Sequence, residues 1–176
     1  NNNNLTLSII SFNGITLDST YLFDGNENFV LLNSNITPNF NNISFTIEFF
    51  AKFEVLDSSL NDIKCTIIQQ GVYEDNNLLI HSFGKEKLSS KYFIELTFST
   101  NNNNYIFKHY LNNKFINNLN YYSITFDNKY GICKFYINGD LIIEKIINYR
   151  TFSQGNIIIG CDSSETNNKN FFKGEL

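Results

Sequence analysis

Short runs of Ile, Phe, Tyr, Val and Thr recur along the chain, and clusters of Asn, Gly, Asp and Ser separate them. Aromatic and β-branched residues favour strands, whereas the separating residues are typical of turns. The periodicity of an amphipathic helix is almost absent, so the pattern predicts an all-β antiparallel sandwich or barrel. The predicted strands lie near Leu5–Ile10, Tyr21–Phe23, Phe29–Leu32, Ile43–Phe53, Lys64–Gln70, Leu78–Phe83, Tyr92–Ser99, Tyr105–Tyr110, Tyr121–Asp127, Ile132–Ile137, Leu141–Ile147, Asn156–Gly160 and Phe171–Leu176.

The clearest turn signal is Asn138-Gly139, which lies between two strand-like runs. An Asn-Gly pair accommodates the positive φ angles of a two-residue hairpin turn, so we expect the flanking runs to pair with each other. Alternation places Cys133, Phe135 and Ile137 on one face of the strand before this turn, and we expect that face to point into the core.

The run over residues 44–51 alternates in the same way. One face carries Phe45, Ile47 and Phe49, and the other carries Thr46, Glu48 and Phe50. Because an aromatic residue stands on the second face, we expect that face to be covered too, or to curve into a groove.

Size and charge exclude several classes of protein. The 176 residues, 42% of them hydrophobic, suit one domain with a core of its own. The net charge of −4 and the single arginine, Arg150, argue against nucleic-acid binding, which needs clustered basic residues. No run approaches the roughly 18 apolar residues of a membrane span, so direct membrane insertion is not expected. The three cysteines include no C-x-x-C pair and no zinc spacing, and their number is odd, so their pairing stays open. Cys133 lies in a strand-like run, which favours a small buried thiol over a disulfide or a reactive role.

Four segments, in order, resemble the laminin G-like, or concanavalin A-like, family of jelly-roll domains. They are residues 21–30 (YLFDGNENFV), 45–52 (FTIEFFAK), 121–127 with 135–139 (YYSITFD and FYING), and 157–160 with 172–174 (IIIG and FKG). The resemblance implies an antiparallel two-sheet jelly-roll sandwich. It also implies the secreted pathway, with an extracellular or cell-surface location. Phe50 and either Tyr121 or Tyr122 stand where the family usually has Trp, which keeps aromatic packing but removes the indole donor.

The family's last motif continues, beyond the point that corresponds to Leu176, into an acidic pair and a further strand segment. The chain also begins without Met. We therefore interpret residues 1–4 as a low-complexity tail and residues 5–176 as a single jelly-roll domain, excerpted from a longer multidomain chain. A sandwich without the closing segment is expected to expose a sheet edge.

Calcium is the cofactor that the resemblance implies, because jelly-rolls of this type often hold the ion at the rim with carboxylate and backbone oxygens. The metal candidates lie in two polar loops. They are Asp24, Asn26 and Glu27 in the first loop, and Asp162 and Glu165 in the second. Both loops also have the composition of ordinary turns.

A glycan site requires an aromatic platform beside amide and carboxylate groups. The segment containing Tyr73, Asp75 and Asn76 has this composition, and these three residues are the candidates for ligand binding. A second aromatic set includes Tyr105 and Phe107, which share a strand face and which we interpret as core.

Catalytic constellations are missing from the sequence. The E-x-D-x-x-E run of laminarinase-like hydrolases is absent, and so are a G-x-S-x-G elbow, a Cys/His nucleophile arrangement and a phosphate-binding loop. Asp140 and Glu144 are four residues apart and could share a strand face. They follow a tight turn, however, and we interpret them as solvent-facing.

The sequence therefore predicts a non-catalytic recognition or adhesion module. It would bind a glycan or protein ligand through rim loops or a sheet face, beside other domains of the same chain. One alternative is a structural domain of a large multidomain assembly. Another is a toxin-type receptor-binding module, since residues 135–141 (FYINGDL) are similar to the lectin-like jelly-roll of clostridial neurotoxins. A diverged glycoside hydrolase is the least favoured alternative.

Overall fold

The computed structural model describes residues 22–25, 28–32, 43–54, 63–71, 78–99, 104–147, 156–163 and 168–176. No α-helix occurs within these ranges, so the all-β prediction is confirmed. A 3₁₀ turn lies at Asn113–Phe115. The strands are β1 Leu22–Asp24, β2 Val30–Leu32, β3 Phe45–Phe53, β4 Ile63–Gln70, β5 Leu78–Lys85, β6 Tyr92–Ser99, β7 Asn104–Tyr110, β8 Leu119–Asp127, β9 Ile132–Ile137, β10 Asp140–Ile146, β11 Ile157–Ile159, β12 Asp162–Ser163, β13 Asn168–Lys169 and β14 Lys173–Glu175.

Two six-stranded antiparallel sheets contain all of these strands except β12 and β13, which form a small ribbon. Sheet I has the order β1-β14-β3-β8-β9-β10, and sheet II has the order β2-β11-β4-β5-β6-β7. The predicted two-sheet jelly-roll sandwich is thus confirmed. The predicted strand at Leu5–Ile10 lies outside the described residues.

The predicted hairpin is formed by β9 and β10. Asn138 and Gly139 both have positive φ angles, 52° and 87°, as a tight turn with these two residues at its centre requires. Asp140 lies opposite Ile137, so the two strands pair directly from the turn onward.

The core lies between the inner faces of the two sheets, and alternation along each strand supplies it. Cys133, Phe135 and Ile137 are all buried, as predicted. In β3, Phe45 is buried, while Ile47 and Phe49 are half-buried and pack against the same cluster. The second aromatic set is core as well, because Phe107 is buried and Tyr105 packs against the cluster.

The three cysteines are buried, and none of them is in a disulfide. Burial was predicted for Cys133. Burial raises the pKa of each thiol to about 12, so the thiolate is not populated near neutral pH. A search of the described ranges finds no helix with the length and apolar character needed to cross a bilayer.

Strand β10 is the outer edge of sheet I, and two features make it a poor partner for another strand. A bulge follows Leu141, and Lys145 lies opposite the core residue Cys133, so its side chain starts from the inner face. Bulges and inward-pointing charges are devices by which edge strands avoid pairing with other chains.

Candidate functional site

Two of the residues predicted to bind metal lie within the described ranges. Asp24 ends β1 and is exposed, whereas Asp162 begins β12 and is only 2% exposed. Asn170 donates a hydrogen bond from Nδ2 to Asp162 Oδ2 at 3.1 Å, which ties β12 to the residue after β13. The remaining candidates lie outside the described residues: Asn26, Glu27 and Glu165 for metal, and Tyr73, Asp75 and Asn76 for ligand.

The described ends of the two predicted metal loops lie next to each other. Gly160, just after β11, packs against the Phe23 ring, and a Cβ at this position would lie 3.2 Å from the carbonyl oxygen of Asn28. Calcium takes about six to eight oxygen ligands. In the part of the chain that the structure describes, no three His, Cys, Asp or Glu side chains cluster as metal ligands. These residues alone therefore do not make a calcium site, and calcium binding stays a prediction.

Asp140 and Glu144 do not form a carboxylate pair. Residues four apart in a regular strand share a face, but the bulge after Leu141 breaks the alternation. Asp140 lies opposite Ile137 and Glu144 lies opposite Lys134, so the two carboxylates start from opposite sides of the sheet. Both are exposed, which confirms their interpretation as solvent-facing residues. They therefore lack the shared face that a retaining glycosidase requires.

Aromatic and aliphatic side chains line the solvent-facing side of sheet I. We name Phe50, Leu119, Tyr121, Tyr136 and Leu141 the aromatic face. Phe50 of β3 lies opposite Tyr121 of β8 with 5.2 Å between ring centroids, and Tyr136 of β9 lies opposite Leu141 of β10. The side chain of Phe50 is 58% exposed, and Leu119 and Leu141 are similarly exposed. Sheet I therefore holds an aromatic ring at the surface, with apolar neighbours on β8, β9 and β10.

Hydrogen bonds fix Tyr121 within this face. Its hydroxyl donates to Glu48 Oε1 at 2.5 Å, and this bond raises the pKa of Tyr121. Its backbone N–H donates to Asn138 Oδ1 at 2.9 Å, and Asn138 Nδ2 donates to Asn120 Oδ1 at 3.0 Å. The β9–β10 turn is thereby tied to β8, and the amide of Asn138 is used within the fold. Among the described residues, Glu48 Oε2 has no hydrogen-bond partner, so this carboxylate oxygen beside the aromatic face is available to a ligand.

The sequence predicted binding through rim loops or a sheet face, but it did not name these residues as ligand contacts. Of the two alternatives expected for the second face of β3, covered or curved into a groove, the first is wrong at Phe50, because most of that side chain is exposed. A signal was nevertheless present, since Phe50 shares its side of the strand with Thr46, Glu48 and Lys52. An aromatic residue among polar positions is a candidate for ligand contact. Of the two tyrosines that match the family's Trp position, Tyr122 is buried and Tyr121 belongs to the aromatic face.

The solvent-facing side of sheet II carries a network that is closed on itself. Glu86, just after β5, accepts hydrogen bonds from Lys108 Nζ and the Tyr110 hydroxyl, each at 2.5 Å, and from the Ser89 hydroxyl at 2.9 Å. Lys108 Nζ also lies 3.9 Å from the centroid of the Phe93 ring, within cation–π range. These polar groups bind one another, so sheet II is the weaker candidate for a ligand surface.

We expect Glu86 to stabilise the fold near neutral pH and to lose that contribution in acid. Hydrogen bonds from Lys108, Tyr110 and Ser89 lower the pKa of its carboxyl from the ordinary 4.5 to about 2. A carboxyl whose pKa is lower in the folded state stabilises the fold above the unfolded pKa, and this stabilisation is lost as the pH falls from 4.5 through 2. Thermal melts of the wild type and Glu86→Gln should therefore differ near neutral pH and converge in acid. A difference in melting temperature that stays constant over this range would contradict the expectation.

Comparison with solved structures shows which known folds this chain resembles. No protein-family model matches the chain, and no curated protein matches its sequence. Among solved structures, the CBM40 module of the Ruminococcus gnavus IT-sialidase, solved with α2,6-sialyllactose bound, is similar with a TM-score of 0.60. The two chains are 12% identical, and the match covers 90% of this chain and 88% of that one.

Two further structures extend the comparison. Mouse laminin α1 domains LG4-5 match 97% of this chain and 43% of that chain at 4% identity, with a TM-score of 0.60. The enzymatically active domain of tailspike protein 2 from bacteriophage CBA120 matches 73% of this chain and 21% of that chain at 14% identity, with a TM-score of 0.52. At these identities the similarity concerns the fold. The chain has the laminin G-like, concanavalin A-like jelly-roll fold that the sequence motifs predicted.

Proposed function

We propose that this domain is a non-catalytic glycan-binding module and that its ligand lies on the aromatic face of sheet I. The observation that carries the proposal is Phe50, a largely exposed ring whose neighbour Tyr121 is held by hydrogen bonds. Stacking the apolar C–H side of a sugar ring on Phe50 removes apolar area of both partners from water. Glu48, two residues away on the same side of β3, accepts hydrogen bonds from sugar hydroxyls.

The comparisons and the carboxylate geometry support this proposal. The CBM40 module has the same fold and was solved with a bound glycan, sialyllactose. Asp140 and Glu144 start from opposite sides of the sheet, so they do not form the carboxylate pair of a retaining glycosidase, which favours a binding module over a hydrolase that uses these two residues. An adhesive role outside the cell or at its surface is part of the proposal and rests on the family resemblance.

Replacing Phe50 by Ala is expected to weaken glycan binding by about tenfold or more. The substitution removes the stacking surface, and about 1.4 kcal/mol of lost contact energy corresponds to a tenfold change in the dissociation constant. A glycan array with the wild-type domain identifies a ligand, and isothermal titration with that ligand then compares the wild type with Phe50→Ala.

Tyr130→Ala is the matched control for this test. Tyr130 lies in the turn between β8 and β9, outside the aromatic face, and its exposure of 59% is close to the 58% of Phe50. We expect it to bind the glycan as the wild type does. Equal affinities for the wild type and Phe50→Ala would place the ligand elsewhere, and a wild-type domain that binds no glycan would refute the function itself.

A further inference from the structure

The charges around the aromatic face limit the class of glycan that it accepts. The strands of sheet I place three lysines on the solvent-facing side, and each lysine has a carboxylate partner. Lys52 Nζ lies 2.9 Å from Glu175, Lys134 Nζ lies 3.1 Å from Glu144, and Lys173 Nζ lies 3.5 Å from Glu54. The carboxylates hold the pKa of Lys52 and of Lys134 above the ordinary value. On the solvent-facing side, these strands thus offer no lysine without an ion pair; Lys145 of β10 starts instead from the inner face.

Glu48 gives the same surface a negative charge beside the stacking ring. No cation pairs with this carboxylate among the described residues, since its only hydrogen bond comes from the Tyr121 hydroxyl. An ionised carboxylate is purely an acceptor of hydrogen bonds. It therefore suits the hydroxyl groups of a sugar, whereas a sialic acid carboxylate or a sulfate would bring a second negative charge close to it.

We infer that the aromatic face selects neutral glycans and discriminates against sialylated and sulfated ones. The inference rests on the proposed function and specifies its ligand class. A neutral sugar stacks on Phe50 and donates its hydroxyls to Glu48. An anionic sugar in the same place meets like-charge repulsion from Glu48, and every lysine on this side of sheet I is already in an ion pair. We expect its affinity to be at least about tenfold lower.

The test uses a glycan array in which each neutral oligosaccharide stands beside its sialylated and its sulfated form. The wild-type domain should bind neutral members and lose signal, by about tenfold or more, on their anionic counterparts. Glu48→Lys should reduce or reverse this preference, because it replaces the repelling charge with an attracting one. Thermal melts of the variant establish that it folds.

Asp140→Lys is the matched control, since it makes the same change of charge at an exposed residue. Strand β10 lies three strand spacings from β3, about 14 Å, which exceeds the screening length of about 8 Å at physiological salt. The preference of Asp140→Lys for neutral over anionic glycans should therefore equal that of the wild type.

If the wild-type domain binds only anionic glycans, and Phe50→Ala loses that binding, the inference is overturned and the proposed function stands. An equal gain of anionic binding in both lysine variants would also overturn it. Binding to no glycan would remove the function and the inference together.

Discussion

Replacing Phe53 by Ala is expected to lower the free energy of unfolding by about 3–5 kcal/mol. Phe53 is fully buried on the inner side of β3 and stacks on Phe83 of sheet II, with ring centroids 4.3 Å apart and planes 9° from parallel. Its ring centroid also lies 5.1 Å from that of Tyr122 and 5.8 Å from that of Phe172, which it meets edge-on. Truncation would leave a cavity where the two sheets meet, and the rigid rings around it can fill little of that space.

Phe50→Ala is the control for this measurement, because it makes the same substitution three residues earlier in the same strand. Its ring points to solvent, so the change in unfolding free energy should stay within about 0.5 kcal/mol. Urea denaturation of both variants at one temperature, with the slopes compared, measures the two effects. Equal losses would contradict the division of β3 into a core side and a ligand side.

The inner faces of the sheets could be predicted from the sequence because alternation is a local property of a strand. Cys133, Phe135 and Ile137 are buried as predicted, and the Asn138-Gly139 turn joins the two strands that it was expected to join. These predictions required only residue spacing and turn chemistry. The order of the strands in the two sheets depends instead on contacts between distant segments, which spacing does not contain.

The aromatic face and the bulge in β10 show where sequence reasoning stops. Whether Phe50 is core or surface depends on what packs over its side of β3, and alternation assigns sides without saying which are covered. Asp140 and Glu144 have the spacing of a shared face, yet one extra residue in β10 separates them. A bulge arises from pairing with β9, so a pattern within one strand does not reveal it.

Gly160→Ala is expected to lower the free energy of unfolding by about 2–5 kcal/mol, through two separate effects. The residue has a φ of +93°, a region that alanine rarely adopts, and about 1–2 kcal/mol follows from that alone. Its backbone cannot easily turn away, because its N–H donates to the Ile67 carbonyl at 2.9 Å and its carbonyl accepts from the Phe172 N–H at 2.7 Å. The new methyl group would lie 2.3 Å from Cε1 of Phe23, a buried ring that packs edge-on against Phe172.

Gly139→Ala separates the two effects, because Gly139 has nearly the same φ, +87°, and no atom within 4 Å of an added Cβ. It should lose only the backbone contribution, about 1–2 kcal/mol. The difference between the two variants in urea denaturation then measures the clash with Phe23, for which we expect about 1–3 kcal/mol. If both variants lose the same free energy, the Phe23 ring moves freely, and the contact between β1 and the end of β11 is not the tight one that the structure shows. If Gly160→Ala loses more, that contact holds the described ends of the two predicted metal loops together, whether or not they bind calcium.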